Sequence, residues 1–134
     1  MDLKPGDTAE ITKTVTDDDI RKFADLIGDD NSVHLDDEYA AKTRFGRRIA
    51  HGMIGASLVS AVLGTRLPGP GTIYLSQTLK FTAPVYPGDE VTARATVKNV
   101  KEGKPVVTLE TVCKNQRGET VLTGEAVVLV EQVG

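Results

Sequence analysis

The segment at residues 29–36 combines residue types that can move protons. It reads D-D-N-S-V-H-L-D, so acidic groups, an amide and an imidazole lie close together along the chain. A carboxylate accepts a proton, and an imidazole with a pKa of about 6.5 both accepts and donates near neutral pH. We expect Asp29 and His34 to hold one water between them and to act as general acid and base.

Two other interpretations of this segment stay open on composition. Aspartate and asparagine are common in loops, so the segment could be an ordinary turn with His34 as a surface histidine. A metal site could use Asp29, His34, Asp36 and Asp37 as hard ligands. No second histidine or cysteine stands at a metal-ligand spacing, however, and we expect no bound metal.

A second candidate lies at residues 50–53, which read A-H-G-M just before an uncharged stretch. Free N–H groups at a helix N-terminus, together with the helix dipole, stabilise negative charge. A glycine there lets a ligand approach the backbone closely. Gly52 is therefore a candidate oxyanion donor. The alternative is that Gly52 only lets the helix start close to the sheet, while His51 caps it or packs nearby.

The composition predicts one globular domain over residues 1–134. The chain has 134 residues and is 40% apolar, which fits a single core. The only cysteine, Cys113, cannot form a disulfide within the chain, and it lies in an alternating segment where a structural thiol is favoured over a nucleophile.

Charge and hydropathy exclude several partners. The net charge is -3 with scattered Lys and Arg and no Trp, which is unlike a nucleic-acid binder. No apolar run approaches the roughly 20 residues that span a bilayer, and the first ten residues lack the features of an export signal. We therefore expect a cytoplasmic protein with neither a nucleic-acid nor a membrane partner.

Apolar spacing and turn formers predict the elements around the first candidate. We expect a strand over Thr8–Val15 and a helix over Asp17–Ile27, which Thr16 opens with a capping box. One or two further helical turns are expected over Asp37–Lys42. His34 would then lie in irregular chain between helical pieces.

The second half predicts one apolar helix followed by strands. The stretch Gly52–Leu67 carries no charge before Arg66, and its small and apolar residues predict a helix buried on nearly every side. Such a helix can be wrapped by one face of an antiparallel sheet. The turn spacing suits a meander. The predicted strands are Thr72–Phe81, Glu90–Val100, Pro105–Asn115 and Thr120–Val130.

These residues resemble the MaoC-like, or R-specific, enoyl-CoA hydratases. Their motif is approximately D-x-N-P-x-H-x-D followed by H-G-M, and this sequence has D-D-N-S-V-H-L-D at 29–36 and H-G-M at 51–53. Ser32 replaces the family's proline, which loosens the loop without removing a reacting group. Similar segments cover nearly the whole chain: A-S-L at 56–58, L-P-G at 67–69, I-Y-L at 73–75, F-T-A-P-V at 81–85, G-D-E-V at 88–91 and T-G-E-A at 123–126.

The resemblance implies an α+β hot-dog fold, with an antiparallel sheet wrapped around a long central apolar helix, and a homodimer. It implies reversible syn hydration of trans-2-enoyl-CoA to (R)-3-hydroxyacyl-CoA without metal or redox cofactor, a step used in fatty-acid metabolism and in polyhydroxyalkanoate precursor supply. Asp29 is favoured as the base, and His34 as the group that orients water and returns the proton, although these roles could be shared or reversed. The Gly52 N–H would bind the enolate oxygen.

Further site residues follow from the same resemblance. Asn31 is expected to hold the loop or the substrate by hydrogen bonding. Ser57 and Ser60 either touch substrate or pack. Ser60, Leu63 and Val128 are candidates for the wall of the acyl pocket. Arg44, Arg47 and Arg48 would contact the CoA phosphates or form a solvated charged stretch.

Two other functions stay open. A MaoC-like 3-hydroxyacyl-[acyl-carrier-protein] dehydratase would use the same two groups on a different carrier. A non-catalytic acyl-thioester-binding subunit would keep the fold but lack one of them, and both are present here. Other hot-dog thioesterases and dehydratases place a carboxylate on the central helix, and the segment Gly52–Thr65 has none.

Overall fold

A computed structural model describes residues 2–131, so residue 1 and residues 132–134 of the predicted domain lie outside the described part. No helix in the described part is long and apolar enough to cross a membrane. The elements in chain order are β1 (Thr8–Thr14), α1 (Asp17–Ile27), α2 (Ser32–Leu35), α3 (Asp37–Ala41), α4 (Gly52–Thr65), β2 (Thr72–Gln77), β3 (Lys80–Phe81), β4 (Glu90–Val100), β5 (Val106–Lys114) and β6 (Thr120–Val130).

The strands form one antiparallel sheet in the order β1-β4-β5-β6-β2, and β3 also pairs with β6. The meander prediction is right for β4, β5 and β6 and wrong for β2, which lies on the far side of β6. The reason is that the chain leaves β1, runs through α4 and forms β2 at the opposite edge of the sheet. Residues 82–89 then connect β3 back to β4, which pairs with β1.

The single strand predicted over Thr72–Phe81 is two strands. The Thr78 N–H donates to the Glu125 carbonyl oxygen at 2.9 Å, and at this turn the chain passes directly over Gly124. A side chain at residue 124 would overlap the Thr78 carbonyl oxygen. The break between β2 and β3 therefore depends on a glycine in the neighbouring strand, which periodicity within residues 72–81 does not reveal.

The core lies between α4 and the inner face of the sheet. Along β4, the alternate residues Val91, Ala93, Ala95 and Val97 are buried, as a half-buried strand requires. Each fully buried Val or Leu contributes about 1.5–3 kcal/mol by leaving water. The side chains of α4 that are buried against this face are Ile54, Ala56, Val59, Val62 and Leu63.

One flank of α4 is open in the single chain, which corrects the prediction of burial on nearly every side. Met53, Ser57, Ser60 and Gly64 are exposed, and their spacing places them in one stripe along the helix. The residues in this stripe are small apart from Met53. Small residues on a helix suggest a buried surface when only composition is considered. In the structure, however, the sheet covers only the face of α4 opposite this stripe.

The segment between α1 and α4 is more regular than predicted. Asn31 caps α2 by accepting a hydrogen bond from the Val33 N–H at 3.1 Å, so His34 lies in a short helix and not in irregular chain. Arg48 holds this segment in place, since its guanidinium pairs with Asp17 and Asp37 and donates to the His34 carbonyl oxygen. The segment is thereby fixed over the start of α4.

Candidate active site

His34 is held in one tautomer. The residue is 8% exposed, and its Nδ1 lies 2.8 Å from the Ile49 carbonyl oxygen. Because a carbonyl oxygen only accepts, Nδ1 must donate and therefore carries the proton. The other nitrogen, Nε2, then offers a lone pair as long as the ring is neutral.

Burial lowers the pKa of His34 below its ordinary value of 6.5. The His51 ring lowers the pKa further, whereas the hydrogen bond to Ile49 and the Asp29 carboxylate raise it by less in sum. The ring is thus neutral at pH 7, and His34 is prepared to accept a proton through Nε2.

Asp29 lies beside this imidazole on the solvent side. Its Oδ1 accepts a hydrogen bond from the Asn31 N–H at 3.2 Å, and its own carbonyl oxygen lies 2.9 Å from His51 Nε2. A carboxylate oxygen of Asp29 and one ring nitrogen of each histidine all lie within 4.8 Å of one another. A water that donates two hydrogen bonds of about 2.8 Å separates its acceptors by about 4.5 Å. The residues predicted to share a water are therefore close enough to do so.

His51 completes this cluster, although sequence reasoning offered only capping or packing for it. The residue is 4% exposed, and its ring stacks on that of His34 with the centroids 3.8 Å apart and the planes inclined by 28°. Phe23 packs on it at 5.2 Å with a tilted ring. The sequence signals for it were its position directly before Gly52 and its place in the H-G-M segment at 51–53.

Asp29, His34 and His51 have the residue types of a metal site but a geometry that does not suit one. The two imidazole rings face each other, so their lone pairs lie in planes that run side by side. Metal binding needs both nitrogens to point at one ion from about 2.0–2.1 Å. The arrangement fits hydrogen-bonded water better than a cation.

Gly52 lines a cavity of about 600 Å³, as do His34 and Phe81. It is the first residue of α4, so its N–H has no partner within the helix. A Cβ at Gly52 would lie 2.8 Å from the Phe81 ring, which leaves room only for glycine while Phe81 keeps its position. Phe81 was not among the predicted site residues.

The remaining predicted site residues lie away from this cavity. Asn31 caps α2, and the Ser57 hydroxyl donates to the Met53 carbonyl oxygen at 2.8 Å within α4. Ser60 is exposed on the open flank of α4. Leu63 and Val128 are fully buried in the core. These four side chains, Ser57, Ser60, Leu63 and Val128, do not line the cavity of the single chain.

The three arginines differ in their surroundings. Arg44 lines the cavity. The Arg47 guanidinium lies 3.8 Å from the centre of the Tyr86 ring, a cation–π contact. Arg48 is engaged in two ion pairs with aspartates. Of the three, Arg48 is therefore the one that holds the segment around His34.

An antiparallel sheet curled around one helix defines a hot-dog-fold protein, and here a carboxylate and an imidazole lie beside the N-terminus of that helix. The sequence-family model described as MaoC like domain matches residues 4–118, and the chain belongs to this family.

Related proteins cover nearly the full chain. A Rhodospirillum rubrum protein named (R)-specific enoyl-CoA hydratase is 50% identical over 133 residues, with 99% of this chain and 92% of that protein covered. An Aeromonas caviae protein of the same name is 48% identical over 126 residues, with 94% of each covered. The structure of the (R)-hydratase from A. caviae involved in PHA biosynthesis matches with a TM-score of 0.94 and 46% identity, over 97% of this chain and 98% of that one. The predicted fold class is confirmed.

Proposed function

We propose that the protein is an (R)-specific enoyl-CoA hydratase that adds water reversibly across the double bond of a trans-2-enoyl-CoA. The observation that carries this proposal is the approach of the Asp29 carboxylate and the His34 ring within 4.8 Å, beside the start of α4. The full-length similarity to named hydratases supports the same activity. A cytoplasmic location is part of the proposal, since CoA thioesters are intracellular compounds.

The tautomer of His34 suggests the order of proton transfers. A water donates one hydrogen bond to Asp29 and the other to His34 Nε2. As its oxygen bonds to the β-carbon, the proton directed at His34 passes to Nε2, and the resulting imidazolium gives it to the α-carbon on the same face. The water's other hydrogen stays on the new hydroxyl group. This order makes His34 the base, which reverses the assignment that the sequence favoured.

The intermediate needs an oxyanion donor, and Gly52 is the proposed one. Attack at the β-carbon moves an electron pair onto the thioester oxygen, and the Gly52 N–H at the start of α4 can donate to it. Loss of one such donor costs about 3–4 kcal/mol in other oxyanion sites. Since the donor belongs to the main chain, only a change in backbone position removes it.

A spectrophotometric assay with crotonyl-CoA tests the activity. We expect the enoyl absorbance to fall and the product to be (R)-3-hydroxybutyryl-CoA, identified with an enantiomer-specific dehydrogenase. A parallel assay with the crotonyl thioester of acyl-carrier protein gives the carrier preference. Turnover of the carrier-protein thioester alone would make the enzyme a 3-hydroxyacyl-[acyl-carrier-protein] dehydratase. Turnover of neither thioester would disprove the enzymatic proposal.

The pH dependence of kcat/KM follows from His34. Its neutral form is the base, and its folded-state pKa lies below 6.5 because of burial. Activity is therefore present above that pKa and is lost as the pH falls through it. We expect the acidic limb of kcat/KM for crotonyl-CoA to have its midpoint below 6.5. A midpoint above this value would contradict the assignment of His34 as the base.

The substrate contacts beyond the reacting atoms are also proposals. Arg44 at the cavity and Arg47 beside Tyr86 can pair with CoA phosphates. Ser60, Leu63 and Val128 are proposed as the acyl-pocket wall, with Leu63 two helical turns beyond Gly55, a cavity residue. Ser57 is proposed as a further substrate contact at the helix flank.

We propose a homodimer formed through the β2 edge of the sheet. This edge strand exposes Ile73, Tyr74 and Leu75, three consecutive large apolar residues. An unpaired apolar edge pairs readily with a second strand, and a symmetric partner would also cover the open flank of α4.

Sedimentation equilibrium checks the dimer. We expect the wild type to have twice the mass of one chain, and Leu75→Asp to shift the population to monomer by placing a charge in the interface. Glu131→Asp, a change beyond the end of β6 that keeps the charge, serves as the control. A monomeric wild type, or a Leu75→Asp variant that stays fully dimeric, would contradict this interface.

A further inference from the structure

His51 contacts both residues of the proposed acid–base pair and directly precedes Gly52 in the chain. Its Nε2 lies 2.9 Å from the Asp29 carbonyl oxygen, and its ring stacks on His34 with the centroids 3.8 Å apart. The peptide that follows His51 carries the Gly52 N–H. A single side chain thus connects the proposed water-binding acid, the proposed base and the start of the helix.

The hydrogen bonding of His51 shows that its role is not acid–base transfer. The Asp29 carbonyl oxygen only accepts, so Nε2 of His51 carries the proton. Its Nδ1 is buried without a hydrogen-bond partner among residues 2–131. The ring is therefore held in place by the Nε2 hydrogen bond and by the rings of His34 and Phe23 that pack on it.

We infer that His51 is a positioning residue of this active site, which holds the Asp29 main chain and the plane of the His34 ring in register above Gly52. The inference rests on the proposed hydratase function. An unpaired buried nitrogen is a cost that packing alone does not require, since a phenylalanine would fill the same space without it. The donor at Nε2 and the flat face toward His34 are the two properties that only an imidazole supplies here together.

The contact between the rings has a measurable effect on His34. The titratable groups that act on His34 are His51, which lowers its pKa, and Asp29, which raises it. Loss of the His51 imidazole should therefore raise the pKa of His34. The chain has only two histidines, so in any His51 variant the one remaining imidazole signal belongs to His34.

Two variants separate the properties of His51. His51→Phe keeps a flat ring and removes the hydrogen bond to Asp29, whereas His51→Gln keeps an N–H donor and removes the ring. With crotonyl-CoA, we expect kcat of His51→Phe to fall about 10- to 100-fold with KM changed less than about threefold, because misplacement by about 1 Å costs that much. We expect His51→Gln to recover part of this loss. NMR titration should show a higher His34 pKa in both variants than in the wild type.

The outcomes distinguish positioning from packing. If folded His51→Phe, checked by circular dichroism, keeps wild-type kcat or an unchanged His34 pKa, the inference is wrong and His51 only packs. If His51→Phe does not fold, the same two readouts on His51→Gln decide. A wild type that does not hydrate crotonyl-CoA would disprove the proposed function instead, and this result is separate from the effect of any His51 variant.

Discussion

Replacing His34 with alanine, or Asp29 with asparagine, is expected to lower kcat for crotonyl-CoA hydration at least about 100-fold, the usual contribution of one acid–base group. His34→Ala removes the nitrogen that accepts the proton. Asp29→Asn keeps an oxygen that can accept a hydrogen bond from water, but it removes the negative charge that stabilises the imidazolium form of His34 during the reaction. Both losses act on the chemical step, so KM should change little.

Asp30→Asn is the matched control for this pair. It makes the same change of charge on an exposed side chain one residue further along the segment. Its kcat should stay within about threefold of the wild type, since it lies outside the set of groups that could share the water. Full activity in either His34→Ala or Asp29→Asn, measured by loss of enoyl absorbance, would remove that residue from the mechanism. Equal losses in all three variants would point to damage of the segment instead.

The second large effect concerns stability and arises at Gly124 in β6. Gly124→Ala is expected to lower the free energy of unfolding by about 3 kcal/mol or more, at the upper end of the cost of overpacking. The added Cβ would overlap the Thr78 carbonyl oxygen. That carbonyl cannot easily turn away, because the Thr78 N–H is bonded to Glu125 at 2.9 Å and the Gln77 amide donates to the carbonyl at 2.9 Å.

Gly55→Ala is the control for this prediction. Gly55 lies in α4, and its added Cβ would meet Leu122 Cδ1 at 3.6 Å, an ordinary contact. Alanine favours a helix over glycine by about 1 kcal/mol, so this variant should be as stable as the wild type or slightly more stable. Urea unfolding at equal protein concentration measures both, since a dimer's stability depends on concentration. Similar midpoints for the two variants would show that the turn after β2 can move.

The relation between Gly124 and the site explains why this turn matters for function. The turn leads directly into β3, whose Phe81 lies over Gly52 and lines the cavity. A displaced turn would shift Phe81 relative to the start of α4. Variants at Gly124 that still fold are therefore expected to lose activity as well as stability.

Local patterns predicted the elements that depend on neighbours in the sequence. The bounds of α1, β4 and β6 are those expected from capping residues, alternation and glycine-containing turns. These signals act within a few residues, so the sequence carries them directly. Two of the misassigned parts, the break after Gln77 and the open flank of α4, depend on distant segments of the chain. The short helix around His34 has a local cap in Asn31, and Arg48 holds it in place from 14 residues away.

The same distinction between local signals and contacts across the fold applies to the site. The order and types of Asp29, His34 and Gly52 were enough to predict an acid, an imidazole and a helix start that could serve one reaction. The roles depend on contacts across the fold: Ile49 sets the tautomer of His34, His51 returns from 22 residues away to bond Asp29, and Phe81 covers Gly52. Tautomer, burial and ring stacking are properties of a packed environment. They arise when segments far apart in the chain meet, and no pattern of residue types within one segment contains them.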